Sequence, residues 1–306
     1  AAGVPSGYRL RADTRHEVQS PLKIGDVDLI PYAVGRATVY DDDFSEFSGE
    51  DDNARLVSTL GLRLHTQVSR VYDNVEDRLL DLTRLRHIIE PRVDLFWTGS
   101  TIDPRDIPVY DPDVEGLHEG FGVRLGGRNI LQTQRGGPGR WRNVDWLVLG
   151  TDFVLRSDDA DVQTELARFY SYRPEYSPGG DHFHTDLMWM VTDTLATVGD
   201  LNYSFENDRV AQWRLGMSLQ QTPRLRLFTD FSEVDQLDSR LLSYGFEYEL
   251  TRKYNIRLNH TLDLGSDDSR SIEIALERKL PRWRLQVVAL IDELEDSAAA
   301  SLITEA

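Results

Sequence analysis

From Leu242 to Leu264 the chain keeps a period of two through two consecutive runs. In the first run Leu242, Tyr244, Phe246, Tyr248 and Leu250 alternate with Ser243, Gly245, Glu247 and Glu249. After Thr251-Arg252-Lys253 the pattern restarts. Tyr254, Ile256, Leu258, His260, Leu262 and Leu264 now alternate with Asn255, Arg257, Asn259, Thr261 and Asp263. Alternation of this kind puts the two sets on opposite faces of a strand, so the stretch reads as a β-hairpin. Each run matches the roughly 9–11 residues with which a tilted strand crosses a bilayer. The aromatic residues gather near the turn, where a transmembrane barrel carries an interfacial girdle. A soluble antiparallel sheet with one wet face is the other fold this hairpin allows, and recurrence of the pattern decides between them.

The pattern recurs. Val27–Tyr40, Ala54–Val71, Phe121–Thr133 and Trp141–Arg156 alternate, and Arg84–Trp97 is expected to be broken at Glu90-Pro91. From Asp181 onward strands follow at Asp181–Val191, Thr194–Phe205, Arg209–Gln220, Arg224–Ser232, Ser239–Leu250, Tyr254–Leu264, Arg270–Lys279 and Trp283–Ile291. Val162–Tyr172 is a weaker strand, and Leu285–Glu295 is the one stretch with a helical alternative. The expectation is an all-β, antiparallel, up-and-down transmembrane β-barrel, or a large part of one, of roughly 14–16 strands. It occupies residues 1–295, with 296–306 as a polar tail. Alternate turns differ in charge. Glu206-Asn207-Asp208, Ser232–Asp238 and Gly265–Asp268 are acidic, whereas Gln221–Arg224, Thr251–Lys253 and Leu280–Arg282 are short and basic. In a meander this gives one acidic and one basic rim, and the short basic turns are expected on the periplasmic side.

Composition narrows the function classes. The 306 residues contain no cysteine, which excludes a disulfide framework or a thiolate metal site. A net charge of −18 argues against nucleic acid as a partner. No apolar run is long enough for a transmembrane helix. Mean hydropathy of −0.43 is compatible with a membrane barrel, whose lumen and loops are polar. Ala1–Gly7 lacks the features of a signal peptide, so a leader is expected to have been removed or the chain to be part of something longer. His182, His184 and Asp186 share a strand face and form the most ligand-like string, suited to a divalent metal or simply to a polar strand face. The glycines of 120–127 lack the strand-then-helix context of a nucleotide fingerprint. The acidic loops offer oxygen ligands for Ca²⁺ or Mg²⁺, or are solvated loops. No nucleophile elbow, metalloprotease helix or phosphate loop is present, so neither enzymatic activity nor a cofactor is expected.

Four motifs in order carry a family resemblance. Gly7-Tyr8-Arg9-Leu10 leads through Ser20-Pro21 and Leu29-Ile30-Pro31-Tyr32 to Thr38-Val39-Tyr40. Arg86-His87-Ile88-Ile89-Glu90-Pro91-Arg92-Val93 follows, then Asp106-Ile107-Pro108-Val109-Tyr110-Asp111 with Phe121–Asn129, and finally Tyr244-Gly245-Phe246-Glu247-Tyr248-Glu249. This order resembles the C-terminal β-barrel region of the LptD family, the outer-membrane lipopolysaccharide-assembly proteins. Leu250-Thr251-Arg252 stands where family members carry cysteines, and the family's N-terminal jellyroll is missing.

The resemblance implies a non-enzymatic barrel of the Gram-negative outer membrane. It would move lipopolysaccharide through its lumen and out through a lateral seam into the outer leaflet. Its partners would be lipopolysaccharide, a plug lipoprotein of the LptE type, a periplasmic lipopolysaccharide-transport bridge and outer-membrane lipid. Pro21 and Pro31, which delete ladder donors, are the seam candidates. Arg63, Arg214, Glu247, Arg257 and Glu273 alternate with apolar neighbours and are the lumen candidates. They would guide phosphorylated headgroups or simply hydrate the interior. The alternatives are another outer-membrane porin or channel, and a soluble all-β binding protein. A barrel-type esterase or protease stands further off.

Overall fold

The computed structural model describes residues 10–45, 47–111, 114–117, 119–157, 173, 180–265, 268–292 and 297–305. Among the described residues seventeen strands form one sheet. They are β1 (Arg11–Gln19), β2 (Leu22–Ile24), β3 (Val27–Tyr40), β4 (Ala54–Thr66), β5 (Val68–Asp77), β6 (Leu82–Ser100), β7 (Gly120–Arg135), β8 (Arg142–Arg156) and β9 (His182–Trp189). There follow β10 (Leu195–Ser204), β11 (Arg209–Thr222), β12 (Leu225–Val234), β13 (Ser239–Thr251), β14 (Tyr254–Asp263), β15 (Asp268–Lys279), β16 (Arg284–Asp292) and β17 (Ser297–Glu305). From β6 onward each strand pairs antiparallel with the next.

Two pairs of strands are single crossings interrupted by proline. β1 and β2 keep one register on β3: Gln19 lies opposite Tyr32 and Leu22 opposite Leu29. Between them Ser20 N–H donates to Pro31 O at 3.1 Å, and Pro31 has no N–H to return the bond. Ladder bonds alternate from side to side along a strand. Because Ser20 points its backbone toward β3, Pro21 points its own the other way, to the open edge of the first crossing.

β4 and β5 likewise keep one register on β6, with His65 opposite Arg92 and Val68 opposite Ile89. The gap faces Pro91. β6 therefore runs unbroken through Glu90-Pro91, contrary to the sequence expectation, and the interruption falls on the neighbouring strand. The missing proline donor removes a bond from the partner's ladder while leaving β6 extended. Joining β1 with β2 and β4 with β5 leaves fifteen crossings out of seventeen strands, inside the expected range.

Two further expectations change. The presumed tail contains β17, paired with β16 from Arg284↔Glu305 to Asp292↔Ser297. The Ala298-Ala299-Ala300 run has no polar–apolar alternation to announce a strand, but backbone pairing does not require one. The helical alternative for 285–295 is overturned by β16. The possible strand at 162–172 lies outside the described residues. Among the described residues β17 pairs only with β16, and the β1/β2 crossing only with β3.

Antiparallel succession sends alternate connections to opposite ends. One end carries short turns at 25–26, 223–224, 252–253 and 280–283. The other carries 41–53 and 101–119 as well as 205–208 and 235–238. Segment 41–53 has seven acidic residues and no basic one, and 101–119 has six acidic and one basic. The acidic and basic turns expected from the sequence thus fall at opposite ends of the sheet.

Candidate functional site

The sheet is inside out by the standard of a soluble protein. On β3 the buried side chains are Tyr32, Val34, Arg36, Thr38 and Tyr40, and on β4 Arg55, Val57 and Thr59. The residues between them are apolar or small: Leu29, Pro31, Ala33, Gly35, Ala37 and Val39 on β3, and Leu56, Ser58, Leu60, Leu62 and Leu64 on β4. Leu56 and Leu60 are 56% and 58% exposed, while Thr59 between them is 2% exposed. The same parity passes through the registers to Leu125, Phe153, Leu215, Leu227, Ile274, Leu276 and Val287, all exposed. A buried polar face opposite an exposed apolar face fits a wall with lipid outside and a polar interior.

Aromatic residues on the apolar face form two rows. Near the long-loop end Trp97 lies opposite Phe121, and Phe183 lies opposite both Phe153 and Tyr203. Trp213 and Phe231 stack at 4.8 Å. Near the short-turn end Trp146 and Trp189 meet edge to face at 5.9 Å. Phe183 and Trp189 belong to one strand, so the rows are about 20 Å apart along it at ~3.3 Å per residue. On strands tilted by about 40° this sets the rows roughly 15 Å apart in height, within the ~25 Å apolar band of an outer-membrane barrel. The sequence expectation included only the aromatics near the 251–253 turn, because the other row emerges only when strands are put in register.

The interior face carries a network of charge. Arg124 on β7 is fully buried. Its Nε donates to Asp152 Oδ1 at 2.9 Å, and its Nη1 lies 3.5 Å from Asp94 Oδ2. Arg92 grips Asp152 side-on, Nε to Oδ1 at 3.1 Å and Nη2 to Oδ2 at 2.7 Å. Gly126 makes this possible: a Cβ there would lie 1.9 Å from Asp152 Oδ1. Arg36 holds Asp13 in the same fork, with both contacts at 2.8 Å. Charge pairs inside a wall are stable only when each partner is satisfied, and here the partners come from a neighbouring strand or, for Arg92 and Asp152, from the two strands on either side of Gly126.

Within 101–119, residues 102–111 and 114–117 fold onto the inner face of the first strands. Glu115 accepts from Arg11 Nη1 at 2.7 Å and from the Tyr40 hydroxyl at 2.9 Å. Arg55 donates to the carbonyl of Val114. Ile102 and Ile107 join Tyr40 and Phe44 in an apolar cluster, and Leu117 packs on Val57. At the short-turn end Arg135 donates to the carbonyls of Met190 and Val191 at 2.8 and 3.0 Å and lies 3.0 Å from Asp81 and 3.2 Å from Asp193. It ties two turns together. Burial raises the Asp193 carboxyl, but hydrogen bonds from Arg142 and Arg135 outweigh that and hold it below the usual carboxylate range.

The registers place all five lumen candidates on the interior face. Arg63 on β4 contacts Glu17 at 3.1 Å, and Arg214 on β11 contacts Asp230 at 2.7 Å. Glu247 lies opposite Arg226 and Arg257, at 2.6 and 3.9 Å, and Glu273 opposite Asn259 and Leu290. They are spread around the wall and do not converge on one point. His182, His184 and Asp186 also face inward. His182 Nδ1 lies 3.1 Å from Gly180 O and His184 Nδ1 lies 2.5 Å from Asn202 Oδ1. Among the described residues no three His, Cys, Asp or Glu side chains are grouped to hold a metal. Of the seam candidates, Pro21 lies on the open edge and Pro31 between the first two crossings. The sequence reading missed Arg124, Asp94, Asp152, Arg92 and Glu115. Arg92 and Asp94 had a signal, as charged residues alternating with Val93 and Leu95.

No family model and no curated protein matches the sequence. Among solved structures the chain is similar to substituted variants of a Rhodopseudomonas blastica porin. For the quintuple mutant the identity is 7%, with 83% of this chain and 91% of that chain covered and a TM-score of 0.38. A triple mutant of the same porin, with alanine at two positions beyond its first residue, gives 8% identity with the same coverage and TM-score.

Proposed function

We propose that this chain is a β-barrel of the Gram-negative outer membrane that gives polar or charged molecules passage along its interior, without catalysing a reaction. One observation carries the proposal: apolar side chains are exposed on one face of strand after strand, while the buried face is lined by arginine and aspartate. Strands can span a bilayer only where their backbone bonds are satisfied laterally; the antiparallel meander does this for every strand between its two edges, and closure of the barrel would pair the edges themselves. The acidic loops are assigned to the outside and the short turns to the periplasm. The protein reconstituted into a planar bilayer is expected to give discrete conductance steps. A purified, heat-modifiable protein giving no conductance would count against a channel.

A second reading is favoured by the ladder gaps. Pro21, Pro31 and Pro91 thin the backbone bonding of the first crossings toward the short-turn end. A wall that parts beside its first crossing would release an amphipathic lipid sideways, as the LptD resemblance implies for lipopolysaccharide. A plug lipoprotein and a periplasmic bridge would be its partners. Photo-crosslinkers placed at Pro21 and Pro31 should then capture lipopolysaccharide in cells. Capture equal to that at a mid-wall position such as Leu227 would count against the seam.

A further inference from the structure

We infer that a cavity on the inner wall between β3, β4, β6 and β7, near the short-turn end, binds a phosphate-type oxyanion. The proposal rests on the lumen reading above and adds a ligand class and a place. The cavity has a volume of about 440 Å³, and its lining includes Arg63, His65, Glu90, Arg92 and Arg128.

The argument turns on how arginines are used in this wall. Arg36 and Arg92 each present the Nε–Nη2 edge of the guanidinium to a carboxylate, Asp13 and Asp152, in a two-point fork. Arg63 does not. Its Nη1 contacts Glu17 at 3.1 Å and Gln19 at 3.4 Å, and its plane lies over the Tyr32 ring at 3.8 Å. Tyr32 can lie there because Gly61 opposite it has no Cβ, which would come within 2.2 Å of the ring. The Nε and Nη2 of Arg63 are buried and have no hydrogen-bond partner among the described residues. This is the edge that its two counterparts use to hold an anion, and buried donors left without an acceptor cost free energy.

The other lining charges are unequally committed. Arg92 is engaged by Asp152, and Asp94 faces Arg124. His65 lies 3.4 Å from Asp28, and Glu90 accepts from Gln67 at 2.8 Å. Arg128, exposed and opposite Glu90 in register, has no ion pair within 4.0 Å among the described residues. The cavity thus sets one uncommitted guanidinium, Arg128, beside a second, Arg63, whose buried forked edge has no acceptor and would present it to an anion by a small turn of the side chain. Two forks suit the several oxygens of a tetrahedral phosphate better than a halide, which accepts at a single point. The phosphate could be free or carried on a lipid headgroup, since both present the same oxygens.

The test is calorimetric titration of the detergent-purified full chain with inorganic phosphate and, separately, with micelles containing phosphatidic acid. Both ligands are expected to bind in 50 mM salt, with affinity at least tenfold weaker in Arg63→Gln and in Arg128→Gln. Arg226→Gln, whose side chain pairs with Glu247 in the opposite half of the wall, should leave the affinity unchanged. Binding of inorganic phosphate alone would assign the site to a soluble anion, and binding of the lipid alone would assign it to a headgroup. No binding of either, or binding insensitive to both cavity substitutions, overturns the site. The heat-dependent gel shift of each variant is read in parallel. A normal shift with binding of neither ligand removes this site and leaves the barrel reading intact, whereas loss of the shift in the unmodified protein removes the barrel reading itself.

Discussion

The two halves of the wall use the same chemistry under different conditions. In the first half, from β1 to β9, the interior charges nearest the long loops are sealed: Arg55, Arg124 and Asp152 are at most 1% exposed. In the second half, from β10 to β17, interior charges pair across strands but stay wet. The side chains of Arg214, Arg226 and Arg257 are 56%, 47% and 48% exposed. Both halves alternate with period two, so alternation sets which side a residue faces but not how dry it is. Dryness in the first half comes from the inward-folded 101–119 segment and from glycines such as Gly126 that let strands and carboxylates approach closely. Charge pairs in the sealed half should therefore resist salt, while those in the open half should be screened.

The contrast is most exposed to test at its driest point. Arg124→Met leaves Asp94 and Asp152 without their shared cation and is expected to lower stability by about 3–5 kcal/mol, read as a shift in the urea midpoint of the folded, heat-modifiable form. A cost no larger than that of an open-half substitution would erase the distinction between the halves. Next in size is Glu115→Gln. It weakens the links of the inward segment to Arg11 and Tyr40 and should cost about 1–3 kcal/mol, with 101–119 becoming cleavable by added protease in the intact protein. Protection equal to the parent's would show that the apolar cluster around Ile102 and Ile107 holds the segment unaided.

Arg257→Ala in the open half should cost under about 1 kcal/mol, and less in high salt. A loss as large as that at Arg124 would mean the second half is sealed by something else. The smallest effect is expected with pH. Asp193 has a depressed pKa in the folded protein, so its contribution is complete above the ordinary carboxylate value. It is lost as pH falls through the lower folded value. The difference in stability between the parent and Asp193→Asn should be constant from neutrality down to about pH 4 and shrink below that. A difference that grows on acidification would reverse the assignment.

Alternation made the later strands legible, because β13 and β14 carry Tyr, Phe, Ile and Leu on one face and Glu, Asn and Arg on the other with few exceptions. It also made legible the face of Arg63, Arg214, Glu247, Arg257 and Glu273. It failed at β17, where small residues carry no polarity signal, and at Pro91, where the sequence cannot show which strand bears the cost of a missing donor. The sealed network was harder to read. Arg124 stands between Val123 and Leu125 much as Arg257 stands between Ile256 and Leu258, and only register shows that one meets two carboxylates beneath a glycine. The inward fold of 101–119 depends on Glu115 reaching Arg11 and Tyr40, contacts separated by 104 and 75 residues. No local pattern announces pairings at that distance.

The central claim is that lipid covers the apolar face and water the charged one. The absence of native cysteine allows single cysteines to be introduced and spin-labelled one at a time at 56, 57, 58, 59 and 60 on β4 and at 227, 228, 229 and 230 on β12. With the protein in phospholipid vesicles, the accessibility of each label to oxygen, which partitions into lipid, is compared with its accessibility to a water-soluble nickel chelate. The account predicts a period of two on both strands. Oxygen should dominate at 56, 58, 60, 227 and 229, and the chelate should be favoured at 228 and 230, with 57 and 59 shielded from both. Equal accessibility at successive positions, or oxygen dominating at 228 and 230, would contradict it.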